Sequence, residues 1–262
     1  VGETHTRVCA EIDRNGENRV LWFEVENQFA PYLLVERSDA FVIGLLQHAI
    51  QFGHDIECEA PMTERIYEQL TEQFLPCFYR AHDDFKTQPG YMAKIKAPIA
   101  AEVESLAEAV GTGVSCGVDS LHVFATQNDI THACIWNLHG VNINDTLEIR
   151  ELGWQNMVDQ AQRFCAETGH KLVIGNTNFD RGCFDNLQYD GSSTYSNLFA
   201  VLCLQKMWKK YYIASGYSIK DFCLDKSVFA DPAYYEYLLF PFVSGSYYSV
   251  RMGAPELPRI DK

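Results

Sequence analysis

The sequence lacks any long apolar segment and any recognisable targeting signal. No run among its 262 residues approaches the roughly 20 apolar residues that a membrane-spanning helix needs. The opening segment, VGETHTRVCAEIDRNGE, has neither the basic start nor the apolar stretch of a signal peptide. We therefore expect a cytoplasmic protein with no membrane partner. The 47% apolar and 21% charged residues predict a globular fold with a sizeable core.

Closely spaced cysteines are also missing. The nine cysteines include no C-x-x-C pair and no cysteine–histidine pair at zinc-ligand spacing. A local zinc site is therefore not expected, and neither is a disulfide framework in a chain of this length and expected location. Most of the thiols are predicted to be small buried side chains, as is typical of free cysteine.

Clusters of basic residues are scarce. The formal net charge is −14, and the densest basic cluster contains only Lys206, Lys209 and Lys210. Nucleic-acid binding depends on clustered lysine and arginine that displace counterions from phosphates. We therefore expect no nucleic-acid partner and predict a small-molecule substrate, with a local basic site for a phosphorylated ligand still compatible with the sequence. The sequence leaves the question of a homo-oligomer open.

Residues 1–104 are predicted to form a small α+β domain. The turn dipeptide Asn15-Gly16 between two alternating segments is typical of a hairpin. Proline lacks the backbone N–H that a helix interior requires, so Pro76 is predicted to end a helix. The predicted elements are strands at 5–13 and 19–26, a helix from Ser38 to Gly53, a strand at 55–58, a helix from Thr63 to Pro76 and a strand at 91–97.

Residues 105–262 are predicted to form a second, α/β domain. Strands that alternate with helices indicate a parallel sheet with helices on both faces. Ligands of such sheets bind at the carboxyl ends of the strands, where strands turn into helices. The predicted strands are 109–114, 132–137, 171–176 and 211–215, and the predicted helices are 118–127, 152–169 and 194–208.

The stretch GVSCGVDS (113–120) lies at such a turn, and it allows four interpretations. Gly113 to Gly117 match the G-x-S-x-G turn of serine hydrolases, but the required downstream histidine can be no later than His170. Gly111-x-Gly113 begins a dinucleotide fingerprint that Cys116 interrupts, and no G-K-[ST] phosphate loop occurs. The third interpretation is a plain connecting turn. The fourth is a loop that binds pyrophosphate.

The fourth interpretation is supported by a family resemblance. Residues 115–120, SCGVDS, resemble the S-G-G-x-D-S signature of the PP-loop ATP pyrophosphatases. Segment 194–218 resembles the later helix, strand and serine loop of that superfamily, and residues 259–262 resemble an R-x-x-K that follows. The resemblance spans residues from about 109 onward. It implies a HUP-like core, ATP and Mg²⁺ as cofactors, release of AMP and pyrophosphate, and further helix beyond Lys262.

The residue chemistry of the loop agrees with that interpretation. Small residues allow backbone N–H groups to approach phosphate oxygens, and the N-terminus of the following helix attracts an anion. Asp119 is predicted to hold Mg²⁺ against the phosphates. Asn178 and Arg181 are predicted to contact the substrate. Contacts with ATP are predicted for Ser115, Gly117, Val118, Ser120, Asn137, Ser215 and Lys262.

Cys116 stands where the superfamily usually has glycine. In one interpretation cysteine is merely small enough, with its side chain turned away from the phosphates. In the other, which we favour, it is a catalytic nucleophile or persulfide carrier, since helix N-termini stabilise thiolates. Cys183, in a polar loop, is the candidate for a second thiol.

The predicted function is adenylation of a carbonyl on a small, nucleobase-like substrate, followed by sulfur insertion. This resembles the superfamily's small-molecule thiolases that form 6-thioguanine. The sulfur would come from a donor protein or from sulfide. The alternatives are amidation with ammonia, a serine hydrolase that uses Ser115, and a nucleotide-binding module without catalysis.

Overall fold

A sheet of seven strands forms the centre of the computed structural model, which describes residues 2–81, 92–138, 146–179, 189–225, 231–257 and 261–262. Four further strands form two short two-stranded ladders beside it. In chain order the strands are β1 (His5–Arg14), β2 (Glu17–Glu26), β3 (Ile56–Glu57), β4 (Met62–Thr63), β5 (Ile95–Lys96), β6 (Ile99–Ala100), β7 (Ala109–Gly113), β8 (His132–Asn137), β9 (Lys171–Thr177), β10 (Trp208–Ala214) and β11 (Ser249–Gly253).

Helices follow most of the strands. The α-helices are α1 (Asp39–Phe52), α2 (Glu64–Glu68), α3 (Leu75–Ala81), α4 (Val118–Thr126), α5 (Leu147–Thr168), α6 (Tyr189–Cys203) and α7 (Glu236–Phe242). A π-helical segment, Gln69–Phe74, joins α2 to α3. Short 3₁₀ turns occur at Asn27–Tyr32, Gln205–Met207, Ile219–Asp221 and Pro232–Tyr234. Within the described residues, no helix combines the length and the apolar character needed to cross a membrane.

The strand order of the large sheet is β1-β2-β9-β8-β7-β10-β11. The five strands from β9 to β11 are mutually parallel, whereas β1 and β2 are joined antiparallel. After β7 the chain adds β8 and β9 on one side and then β10 and β11 on the other. In open α/β sheets such a reversal marks the usual ligand-binding position, at the carboxyl ends of the two strands that flank it. Here these strands are β7 and β10, and we call the position between their carboxyl ends the crevice. The predicted α/β architecture with a mostly parallel sheet is confirmed.

The predicted amino-terminal hairpin is also confirmed. Asn15 and Gly16 both take left-handed conformations, with φ of 55° and 86°, as a two-residue hairpin turn of type I′ requires. Strand β2 then pairs with β9, with Phe23 opposite Thr177. The domain boundary at residue 104 stays a prediction, and the hairpin before it shares one sheet with the strands after it.

Helices cover both faces of the sheet. On one face α1 and α6 pack together, and Phe199 of α6 contacts the rings of Phe23 and Phe41. On the other face Ala161 and Cys165 of α5 pack against buried residues of β8. The two apolar layers follow from the alternation of side chains along each strand.

Two predicted helix ends are wrong. Pro76 does not end a helix, because the chain stays helical to Ala81. The segment before it is π-helical, and Leu75 N donates to Leu70 O, five residues back, so the helix is wider where the proline enters it. The helix predicted to reach residue 208 ends at Cys203, and Trp208 already belongs to β10. Trp208 is fully buried and its indole N–H donates to Val201 O at 3.0 Å.

Candidate functional site

The loop Ser115–Ser120 leads from the carboxyl end of β7 into α4, at the crevice between β7 and β10. Gly117 is the N-cap residue of α4, in an extended conformation, and as a glycine it supplies no capping side chain. The first N–H groups of a helix lack partners within the helix and carry partial positive charge. The start of α4 is therefore suited to bind an anion.

Hydrogen bonds between the two serines hold the loop in shape. Ser115 Oγ and Ser120 Oγ lie 3.2 Å apart, and Ser120 Oγ donates to Gly117 O at 3.0 Å. Ser120 is buried, with 3% of its surface exposed. The geometry thus gives Ser120 a part in shaping the loop, and its contact with ATP stays a prediction.

Lys262 joins the two sides of the crevice. Its Nζ donates to Asp119 Oδ1 at 3.1 Å, on the loop after β7, and to Ser215 O at 2.8 Å, immediately after β10. The lysine side chain is 1% exposed and that of Asp119 is 18% exposed. Three predicted site residues from distant parts of the sequence are therefore brought together, with a buried cation between them.

The segment after β10 is held by its own hydrogen bonds. Ser218 Oγ and Ser218 N both donate to Asp221 Oδ2 at 2.9 Å, which forms a capping box on the following 3₁₀ turn. Ser215 Oγ accepts from Tyr217 N at 3.3 Å. Both serines are buried, so this side of the crevice has a fixed backbone.

The other predicted site residues lie further along the sheet edge or outside the described residues. Asn137, at the end of β8, donates to Asn176 Oδ1 at 3.3 Å. The amide of Asn178 is engaged by β2, since it accepts from Trp22 N at 2.9 Å and donates to Val20 O at 2.7 Å. Its substrate contact stays a prediction. Arg181 and Cys183 lie outside the described residues.

Cys116 has a left-handed backbone, with φ of 54°. Glycine adopts this conformation without the steric cost of a Cβ atom. This explains why the S-G-G-x-D-S signature has glycine at the position of Cys116. The half-buried side chain packs against the apolar cluster that contains Val114 and Cys165. Burial, and secondly the nearby Cys116, raises the pKa of the Cys165 thiol. The sequence did not predict that Cys165 lies near Cys116. Its position on the apolar stripe of α5 indicated only a core residue.

Glu236 is a further residue that sequence reasoning missed. Its side chain is buried at the start of α7, and its Oε1 accepts from Thr194 Oγ1 at 2.6 Å. Burial raises its pKa to about 7, the hydroxyl groups of Thr194 and Ser215 oppose that shift, and Asp231 adds to it. The signal in the sequence was a single acidic residue inside the aromatic run AYYEYLLFPF.

A pocket of about 650 Å³ lies at the opposite edge of the sheet. It is lined by the first residues of three parallel strands, Ala109, His132 and Lys171, together with Phe29 and Met207. Burial is the main cause that lowers the pKa of His132 to about 4, so this histidine is neutral at pH 7. Ligands of open α/β sheets bind at the carboxyl edge, and we therefore place the candidate site at the crevice.

Comparisons with protein-family models, with curated proteins and with solved structures found no match. A fold alone does not define an activity, so the function has to be argued from the chemistry of the site.

Proposed function

We propose that this chain binds ATP at the Ser115–Ser120 loop and uses it to adenylate a carbonyl group of a small, nucleobase-like substrate, before sulfur replaces the carbonyl oxygen. The observation that supports this most strongly is the position of Lys262. Its ammonium group bridges Asp119 and Ser215 across the crevice, beside the start of α4. A helix N-terminus and a buried lysine together form a site for a polyphosphate.

The residues present also fit magnesium-bound ATP. Mg²⁺ is usually held by one or two carboxylates together with the phosphates of the nucleotide, and not by a cage of protein ligands. Asp119 supplies one partly exposed carboxylate next to the helix N-terminus. When bound, Mg²⁺ would neutralise charge on the phosphates, while Lys262 holds the position of the carboxylate.

The reaction proceeds in two displacements. The substrate carbonyl oxygen attacks the α-phosphorus of ATP, and pyrophosphate leaves with the electrons of the broken P–O bond. Sulfide then attacks the activated carbon, AMP leaves with the former carbonyl oxygen, and loss of a proton gives the thiocarbonyl. If Cys116 carries a persulfide, the outer sulfur of that persulfide attacks the activated carbon instead. A second thiol then attacks Cys116 Sγ, which forms a disulfide with Cys116 and releases the thiolated product.

Amidation with ammonia is the second candidate. It is favoured by the packing of Cys116 against the cluster of α5, which turns the thiol towards apolar neighbours. In that reaction ammonia displaces AMP from the same adenylated intermediate, and no thiol is needed.

The test is an incubation of the full chain with Mg²⁺, ATP and a panel of lactams, with sulfide, a persulfide donor or ammonium. We expect AMP and pyrophosphate release that depends on the acceptor. Lys262→Met should abolish this release, whereas Lys220→Met, at an exposed lysine on the 3₁₀ turn after β10, should not. Thiolated or amidated product in the mass spectrum distinguishes the two candidates.

The Cys116→Ala variant tests whether Cys116 carries the sulfur. It should keep acceptor-dependent AMP release and lose thiolated product made from the persulfide donor. Thiolation by the alanine variant from that donor would rule out Cys116 as the carrier. ATP binding without AMP release from any acceptor would indicate a binding module. Ester cleavage without ATP, lost in Ser115→Ala, would indicate a hydrolase.

A further inference from the structure

Strand β1 forms one end of the large sheet, and no strand of the described residues pairs with its outer side. It has ten residues, contains no proline and pairs with β2 without a bulge. An edge strand of this kind presents a row of N–H and C=O groups with which another strand can pair. Proteins often protect such an edge with a proline, a bulge or a very short strand. None of these devices is present in β1.

The hairpin turn determines which backbone groups of β1 point outward. In a two-residue turn the flanking residues, here Arg14 and Glu17, exchange hydrogen bonds, and the same pattern recurs at every second residue. The carbonyl group of Thr4 follows this pattern, because it accepts from Asn27 N, directly after β2, at 2.9 Å. Even-numbered residues of β1 therefore bond to β2, and odd-numbered residues direct their N–H and C=O groups outward.

The outward backbone groups of Arg7, Cys9 and Glu11 are open, since within the described residues no turn or loop bonds to them. At the next outward position, His5, the carbonyl group already accepts from Gly2 N at 2.7 Å. The side chains of the three open positions lie on one face of the hairpin and are exposed. A second strand can therefore pair with residues 7–11 without displacing any described contact.

The charges at the open positions are self-complementary. When two copies of β1 pair antiparallel with Cys9 opposite Cys9, each Arg7 lies opposite Glu11 of the other copy. Opposite charges in such cross-strand positions stabilise a sheet, and like charges destabilise it. A shift by four residues in either direction would place Arg7 opposite Arg7, or Glu11 opposite Glu11. A shift by two would pair Arg7 with Cys9 or with Asp13, and the Asp13 carboxylate already accepts from Gly16 N at 2.7 Å.

The guanidinium group of Arg7 is held on this face with a donor to spare. Its Nε and Nη2 lie 3.1 Å and 2.9 Å from Glu24 Oε2, and the group lies 3.8 Å from the centre of the Trp22 ring. These contacts leave Nη1 for a second carboxylate. Glu11 has no ion-pair partner among the described residues, so its carboxylate is available to the other copy.

We propose that this chain forms a two-fold symmetric homodimer in which β1 pairs antiparallel with β1 of a second copy, centred on Cys9. The three open positions each exchange two backbone hydrogen bonds with the other copy. The contact is closed, because both copies use the same patch. The crevice between β7 and β10 lies four strands from β1 and stays open in both copies. The inference is independent of the proposed function.

The first test is sedimentation velocity of the full chain over a series of concentrations. An interface of one strand per copy is small, so we expect a reversible dimer with a Kd of about 1–100 µM. Glu11→Arg places arginines opposite each other and should raise the Kd at least about tenfold. Adding Arg7→Glu restores opposite charges and should recover most of the affinity. Glu167→Arg, at an exposed position of α5, makes the same change in charge and is the matched control.

Disulfide trapping of the wild type then locates the interface. The Cα atoms of opposed, hydrogen-bonded residues lie about 5.5 Å apart, a distance that a disulfide spans. Diamide, which takes up the two electrons and two protons of the thiols, should join two copies through Cys9, as peptide mapping measures. The Cys9→Ser variant should not be joined. Cys77 is also exposed, on α3, and is the internal control, since it should not link to its equivalent.

Three results would overturn the inference. A monomer at every concentration would mean that Arg7 and Glu11 protect the edge from pairing. A dimer with the same affinity in Glu11→Arg, or a dimer that diamide links only through other cysteines, would place the interface elsewhere. The dilution series and the trapping use the wild type, so a variant that fails to fold does not prevent a decision.

Discussion

At Cys116 the backbone conformation predicts an unusual order of stability among variants. Cys116→Ala and Cys116→Gly both remove the thiol, but only glycine relieves the strain of a φ of 54°. We expect the glycine variant to have the higher free energy of unfolding, by about 1 kcal/mol, in urea denaturation. Cys9 is the matched control, because it is exposed in the extended strand β1 and there alanine should be the more stable choice. The same order at both positions would contradict the strained loop.

Glu236 predicts a specific dependence of stability on pH. Its pKa is about 7 in the folded chain against an ordinary 4.5, so the unfolded chain loses this proton first as the pH rises. The stabilising contribution is therefore complete below about pH 4.5 and is lost by about pH 7. Glutamine does not titrate, so the Glu236→Gln variant does not lose this contribution. Between about pH 4.5 and about pH 7, its free energy of unfolding relative to that of the wild type should rise by ~3 kcal/mol. Urea titrations at several pH values measure the difference, and a constant difference would contradict the raised pKa.

The residues of the site differ in how far the sequence could predict them. The spacing of Ser115, Asp119 and Ser120 is local, so the motif and the start of α4 could be read directly. Lys262 was predicted by resemblance to contact ATP, and the structure places its side chain against Asp119. Glu236 could not be found this way, because its burial depends on contacts with Thr194 and Ser215, which are distant in sequence.

At the scale of elements, strands β7 and β10 lie so close together that position 111 of β7 requires glycine. A Cβ atom at Gly111 would lie 2.7 Å from Trp208 Cζ3 and 2.8 Å from Tyr211 Cδ2, whereas at Gly113 the nearest such atom is Tyr211 Oη at 4.0 Å. Gly111→Ala should therefore destabilise the chain by roughly 1–3 kcal/mol through overpacking, and Gly113→Ala by much less. Chemical denaturation of the two variants checks this, and equal losses would contradict the close approach.

The boundary between α6 and β10, which the sequence misplaced, has a physical cause. The last turns of helix α6 are buried on all sides, and the buried residues Leu204, Met207 and Trp208 follow directly, so no change of periodicity marks the turn between Cys203 and Trp208. Strand β11, which follows an aromatic run, was not predicted either, since its residues SVRMG do not alternate regularly between apolar and polar. Where one face was polar, as in the hairpin β1–β2, the alternation located the strands to within two residues.

At the scale of the whole molecule, the charge distribution restricts what the crevice can bind. The chain has a formal charge of −14, which repels extended polyanions, while the buried Lys262, paired with Asp119, places one cation beside the start of α4. Binding of a nucleic acid needs many cations along a surface, but a nucleotide needs only a few at one point. The charge pattern therefore agrees better with a small phosphorylated ligand than with a nucleic-acid substrate.

The shared core predicts that the chain folds as one cooperative unit, although its sequence suggests a boundary at residue 104. Strand β2 pairs with β9, and the fully buried ring of Phe23 contacts Trp136 at 5.8 Å and Phe199 at 6.1 Å between centroids. A fragment of residues 105–262 would expose this apolar surface, and each buried phenylalanine contributes about 1.5–3 kcal/mol. We expect the fragment to show no cooperative transition in urea and no near-UV circular dichroism, whereas the full chain shows both. Addition of a separate 1–104 fragment is the control, since complementation would restore the signal. A cooperative transition of 105–262 alone would instead establish an independent domain, with the hairpin and α1 as an accessory layer.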